Sequence, residues 1–222
     1  TDTPLNAHEI EPRPLEEEIE FILKTANDYL ENPPTRADVL SVFAGLRPLA
    51  APQSGDKNST KEISRDHKLI KSDSQLITIT GGKWTTYRKM AEETVDLAIT
   101  TAGLAPKACQ TQNLKIQGYS VEKTDSHWQL YGTDAALIQQ LAAENPSLAE
   151  KIHPQYDFIK AEVIWACQQE MAVKVEDFLA RRIRLLLLDA QASLQAAAVV
   201  AQLMAEESGK DQQWINKEME DY

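Results

Sequence analysis

The sequence is short of cysteine, of basic charge and of long apolar runs, and each shortage closes a class of function. Its two cysteines, Cys109 and Cys167, stand far apart in a chain of 222 residues. They cannot build a disulfide framework or a cysteine-rich metal site, no metal ligand set is assigned, and such sparse cysteine fits a reducing compartment. Lys and Arg number 23 against 34 Asp and Glu, a net charge of -11. That sign argues against a broad nucleic-acid surface and against general attraction to anionic lipid. A small anionic substrate would need a local basic cluster. The longest apolar run, Leu185–Leu188, is much too short to span a bilayer. Neither a P-loop nor a Gly-x-Gly-x-x-Gly fingerprint occurs. No signal peptide is visible. The chain opens on Thr1 rather than methionine, which reads as a fragment of something longer or a processed product.

What is present centres on Gly81-Gly82-Lys83-Trp84-Thr85-Thr86-Tyr87-Arg88. The alternating, β-branched run at 75–80 predicts a strand before it, and 86–101 predicts a helix after it. Two glycines let the backbone turn sharply and let a large group come close. A helix starting near Trp84 or Thr85 leaves first-turn amides without partners, with about half a positive charge from the helix dipole. Lys83 adds a full charge. Together these suit an anion or an electron-rich heterocycle. Strand–Gly-Gly–helix is also a common connection, so the turn alone leaves the structural reading open.

The rest of the chain frames this turn. Residues 14–30 carry apolar positions at helical spacing, with Pro14 suited to a first turn and Pro33-Pro34 ending the run. Residues 39–49 begin as a strand and end at a Gly/Pro turn that holds Arg47. Residues 51–61 read as a loop. Residues 62–70 hold Arg65 and His67 on a second strand; His67 is not assigned as a base. A lone arginine is most often a surface residue. Gly103 and Pro106 end the helix after the turn. A short strand-like piece follows at 114–116. Beyond it the sequence is helical: 128–131, 135–144 capped by Thr133-Asp134, 147–152, 159–171, 175–188, the alanine-rich 191–207 closed by Ser208-Gly209, and 211–220. Arg181, Arg182 and Arg184 form a basic patch best read as a solvated face or as ion pairs with Glu170, Glu176 and Asp177. Trp165, Ala166 and Cys167 read as core rather than chemistry.

The string Gly-Gly-Lys-Trp-Thr-Thr-Tyr-Arg-Lys-Met-Ala-Glu-Glu at 81–93 resembles the C-terminal signature of FAD-dependent glycerol-3-phosphate dehydrogenases. Gly45-Leu46-Arg47-Pro48-Leu49 and Ile63-Ser64-Arg65-Asp66-His67 resemble two further blocks of that family, in the same order. Glu170-Met171-Ala172 and Glu176-Asp177-Phe178-Leu179-Ala180-Arg181-Arg182 resemble its C-terminal helical region. The match covers nearly the whole chain.

The resemblance implies an α+β fold: the end of a mixed-sheet substrate-binding domain at 1–104, then a helical C-terminal domain at 105–222. It implies oxidation of sn-glycerol 3-phosphate to dihydroxyacetone phosphate, with hydride transfer to FAD and electrons passed to quinone. Arg47, Arg65 and Lys83 are then the substrate-binding residues, with Lys83 also catalytic at the substrate–flavin junction. Gly82, Lys83, Trp84, Thr85 and Thr86 are then the cofactor-binding residues. The chemistry agrees: a phosphate monoester is nearly doubly charged, arginine binds its oxygens with paired N–H groups, and lysine adds a point charge. The FAD-binding βαβ unit of the family is absent here, so FAD is held mainly by a missing N-terminal half and the fragment alone is expected to be inactive. Two isolated cysteines cannot supply the iron–sulfur module of one family branch. The resemblance further implies a cytoplasmic protein, peripheral on the inner face of the cell membrane, and leaves a homodimer open. The alternatives are an oxidase that passes electrons to oxygen and a non-catalytic helical interaction module.

Overall fold

The computed structural model describes residues 3, 9–46, 66–122 and 126–222. In chain order the regular elements are α1 (Glu16–Asn27), β1 (His67–Lys71), β2 (Ile77–Gly81), α2 (Tyr87–Thr101), α3 (Ala135–Glu144), α4 (Lys160–Gln169), α5 (Leu185–Leu188), α6 (Ala190–Ser208) and α7 (Gln212–Asp221). Helices dominate, and the strands make one two-stranded antiparallel sheet among the described residues. The α+β class with a helical C-terminal part is what the sequence implies. Two compact units emerge: Thr1–Arg13 with Ala44–Lys115, and Pro14–Phe43 with Ile116–Tyr222. The boundary placed at 104 from the sequence falls inside the first unit, and α1 clusters with the second.

In the first unit, β1 and β2 pair in a register that sets His67 opposite Gly81 and Lys71 opposite Ile77. The connecting turn is closed by Ser72 N–H donating to Leu76 C=O and Gln75 N–H donating to Ser72 C=O, both at 3.0 Å. Gln75 takes a φ of 69°, so it belongs to the turn and the second strand starts only at Ile77. Helix α2 ends as its glycine predicts: Gly103 has a φ of 65°, and Leu104 N–H reaches back to Ile99 C=O at 3.0 Å. No described residue of this unit is buried, and Ile70, Ile79, Tyr87 and Val95 are exposed.

The second unit has the core. Ala192, Ala196, Ala197, Val200, Ala201, Met204 and Ala205 form the buried stripe of α6. Alanine loses no side-chain entropy in a helix and lets neighbours approach closely. Val163 and Ala166 of α4, with Phe178, Leu179, Ile183 and Leu185, fill the space against it. Asp189 caps α6 by accepting from Ala192 N–H at 2.9 Å, and Asp211 caps α7 by accepting from Trp214 N–H at 3.0 Å. Gly209, at a φ of 63°, ends α6 where Ser208-Gly209 predicts.

Four sequence expectations are corrected here. Residues 39–46 join no strand among the described residues. Their polar groups serve the helices instead: Leu40 C=O accepts from Ala190 N–H at 3.1 Å, and Ser41 Oγ donates to Leu186 C=O at 2.7 Å. Residues 114–116 likewise form no strand. The single helix read over 175–188 is interrupted by a π-helical turn at Asp177–Arg182, and Arg184 then takes a φ of 57° before α5 begins. The wider turn lets Phe178, Leu179, Ile183 and Leu185 all face inward. Asp134 occupies the N-cap position of α3 without a side-chain capping bond.

Candidate functional site

The candidate site is built where β2 runs into α2. Gly81 and Gly82 take φ values of 75° and 85° in succession. Side chains rarely tolerate that conformation once, so a pair of glycines is what the turn needs. A side chain at Gly82 would also crowd its neighbours. A Cβ on Gly82 would lie 2.6 Å from Met90 Sδ and 3.1 Å from His67 Cβ.

Lys83 follows with extended backbone, at a φ of -123° and ψ of 147°. Trp84–Thr86 then forms a 3-10 turn before α2 begins. Thr86 uses both its N–H and its hydroxyl to donate to Lys83 C=O, each at 3.0 Å. Tyr87 N–H closes onto Trp84 C=O. The amides of Trp84 and Thr85 precede these bonds and have no carbonyl within the helix to meet. Lys83, Trp84, Thr85 and Thr86 are all exposed. The Trp84 ring is 85% exposed and stacks on Tyr87 with centroids 5.2 Å apart.

Charge separates Lys83 from its neighbours. Arg88 is committed to Glu92 at 2.9 Å and also donates to Thr111 at 3.3 Å. Lys89 lies 3.6 Å from both Glu92 and Glu93. Among the described residues the Lys83 ammonium has no carboxylate within ion-pair distance. Among the described residues its charge is therefore uncompensated, at a helix start on an exposed turn. Glycine amides, an unpaired ammonium and a flat exposed ring pair are compatible with the edge of a planar anionic heterocycle.

Gly82, Lys83, Trp84, Thr85 and Thr86, the cofactor-binding residues that the resemblance implies, follow one another through this turn and its 3-10 continuation. Arg47 and Arg65 lie outside the described residues. His67 is the residue that sequence reasoning set aside. Its Nε2 lies 2.7 Å from Glu93 Oε2, across 26 residues of chain, and no local pattern signals that pairing. The His67 hydrogen bond holds the Glu93 carboxyl below the usual range, with the Lys89 charge adding to it. Arg181, by contrast, behaves as read: it pairs with Glu176 at 2.8 Å and Asp177 at 3.0 Å, while Arg182 pairs with Glu170 at 3.1 Å.

A second polar cluster lies inside the helical unit. Glu162 is 0% exposed and caps α4 by accepting from Ile159 N–H at 2.6 Å. His127 Nε2 stands 3.4 Å from its carboxylate, outside hydrogen-bonding geometry, and Glu162 Oε1 has no partner. Burial raises the Glu162 carboxyl to about 7 and pushes His127 down. Glu162 is fully buried in this cluster, while the His127 side chain is 15% exposed.

With this geometry in place, comparison with known proteins is specific. The family described as the C-terminal domain of alpha-glycerophosphate oxidase matches residues 72–215. The chain is 35% identical to the mitochondrial glycerol-3-phosphate dehydrogenase SDP6 of Arabidopsis thaliana, over 94% of this chain and 38% of that protein. It is 37% identical to the mitochondrial glycerol-3-phosphate dehydrogenase of Schizosaccharomyces pombe, over 98% of this chain and 41% of that protein. The corresponding Mesocricetus auratus protein is 36% identical, over 93% and 31%. The chain thus spans between 31% and 41% of the length of these relatives. Their mitochondrial names overturn the cytoplasmic and inner-cell-membrane location that the sequence implied. No helix among the described residues is long and apolar enough to cross a membrane.

Proposed function

The chain belongs to the family of C-terminal domains of alpha-glycerophosphate oxidase, and on that premise we propose that it is the C-terminal part of a flavoprotein that oxidises sn-glycerol 3-phosphate to dihydroxyacetone phosphate. The observation that carries the proposal is the Gly81-Gly82-Lys83 turn, with its consecutive positive φ values and an ammonium that no described carboxylate neutralises.

Gly82, Lys83, Trp84, Thr85 and Thr86 would line one edge of FAD, which would supply the acceptor for hydride from the secondary alcohol carbon. The chain's own groups do the rest of what is assigned here. Gly82 removes the side chain that would block close approach. The amides at the start of α2 and the Lys83 ammonium stabilise negative charge that grows beside them during transfer. Trp84 offers a flat face, and Thr85 and Thr86 place polar groups on the same open edge. The Thr86 hydroxyl already donates to Lys83 C=O, so its remaining capacity is as an acceptor. Arg47 and Arg65 hold the phosphate, and Lys83 reaches it from the flavin side. The greater part of the FAD site then lies in the portion of the longer protein that this chain does not span.

Electrons leave to a quinone, which would bring the whole protein to a membrane surface. The family's oxidase description supports a second reading, with oxygen as acceptor. Steady-state oxidation of glycerol 3-phosphate by the full-length protein decides between them. A soluble quinone analogue is expected to be reduced with little hydrogen peroxide formed. Stoichiometric peroxide in air would favour the oxidase, and no turnover with either acceptor would refute the proposed reaction.

A further inference from the structure

A polar cross-link joins β1, the strand paired with β2, to the helix that follows the glycine turn. His67 opens β1 directly opposite Gly81. Its Nε2 meets Glu93 Oε2 at 2.7 Å, two turns into α2. The link closes a loop of structure that runs from β1 across the ladder to Gly81, through Gly82 and Lys83, along the first turns of α2, and back. His67 also forms the floor of the turn, since its Cβ lies 3.1 Å from where a Gly82 side chain would begin. The ring is tucked in, with the imidazole 17% exposed against 40% for the Glu93 carboxylate. Among the described residues Lys89 also pairs with Glu93, at 3.6 Å, with Glu92 one residue before it, and Asp66 and Lys68 flank His67 in sequence. No described residue of this unit is buried, so among those residues apolar packing holds the turn only weakly and the polar link has leverage.

We propose that His67 and Glu93 are a positioning pair for this turn. They set where the Lys83 ammonium and the first amides of α2 stand relative to cofactor and substrate, and they act only through those groups. The inference rests on the flavoprotein reading above. It assigns a role to two residues that the 81–86 motif leaves out.

The test uses the full-length holoenzyme with His67→Ala, Glu93→Ala, the double variant and His67→Gln. Misplacing a preorganised group by about 1 Å can cost 10- to 100-fold, so each alanine variant should lose about that much in kcat/KM. Because the pair acts as one unit, the double variant should lose no more than either single one. Most of the loss should sit in kcat, because charge stabilisation during transfer is what moves. The reduction potential of the bound flavin should become more negative in all three. His67→Gln can still donate an N–H to Glu93 and should restore both kcat and potential. Multiplicative losses in the double variant, or a wild-type potential in the alanine variants, would overturn the inference. If His67→Ala does not fold, Glu93→Gln carries the same test: it keeps the shape, loses the charge, and should shift the potential the same way by less. A wild-type flavin that ignores glycerol 3-phosphate would sink the underlying reading and the pair with it. A wild-type flavin that is reduced normally, alongside unaffected variants, would sink the pair alone.

Discussion

Replacing Lys83 with alanine in the full-length protein is expected to lower kcat/KM for glycerol 3-phosphate by about 30- to 1,000-fold, equivalent to about 2–4 kcal/mol of lost charge stabilisation. The size follows from what the side chain is free to do. Its neighbours Arg88 and Lys89 are bound up with Glu92 and Glu93, while Lys83 pairs with no described carboxylate. A full positive charge left uncompensated at a helix start acts at full strength on an anion that docks there. Stability should hardly change, because an exposed side chain without partners rarely contributes more than about 0.5 kcal/mol. Lys83→Met separates charge from stem: it keeps the aliphatic reach and should fall as far as alanine. Lys83→Arg keeps the charge but brings a planar fork in place of a compact ammonium, and should recover only part of the loss. Measuring kcat/KM beside the thermal midpoint checks both halves. Full activity in Lys83→Met would remove the ammonium from the site.

The second large effect lies in the helical unit and concerns stability. Glu162 is buried with one carboxylate oxygen unpartnered, and burial raises its pKa to about 7. An unfolded glutamate ionises near 4.3. Between those values the folded protein holds a proton that the unfolded chain has released, so stability falls as pH rises through the window and levels off above it. At about 1.4 kcal/mol per unit of pKa, the loss by pH 8 is on the order of 3 kcal/mol. Glutamine at the same position keeps the acceptor for Ile159 N–H and carries no charge. Glu162→Gln should therefore match wild type near pH 4 and exceed it by about 2–3 kcal/mol at pH 8. Denaturant unfolding at the two pH values gives the answer. A variant no more stable than wild type at pH 8 would contradict the raised pKa and mean that the fold stabilises the ionised carboxylate.

The glycine turn and most helices are legible because their causes are local. Two consecutive glycines between a β-branched run and a polar amphipathic run leave few alternatives. The stop at Gly209 follows from residue chemistry at a helix end. What sequence reading misses is settled by distant partners. Residues 39–43 have strand propensity, but Leu40 C=O is taken by Ala190 N–H, about 150 residues away in sequence. The π-helical turn has no residue signature either. It exists because the core requires Phe178, Leu179, Ile183 and Leu185 on one side, and Arg184 bears the left-handed conformation that results. The turn's backbone follows from its two glycines, whereas the brace beneath it depends on His67 meeting Glu93 across the hairpin and the helix.

The central claim is that this turn faces a flavin that glycerol 3-phosphate reduces. The direct measurement is the visible absorption spectrum of the full-length protein, recorded anaerobically before and after adding glycerol 3-phosphate. The account predicts an oxidised flavin spectrum that bleaches on addition, with wild-type kinetics lost in Lys83→Ala. A colourless protein, or a flavin spectrum that glycerol 3-phosphate leaves unchanged, would contradict it.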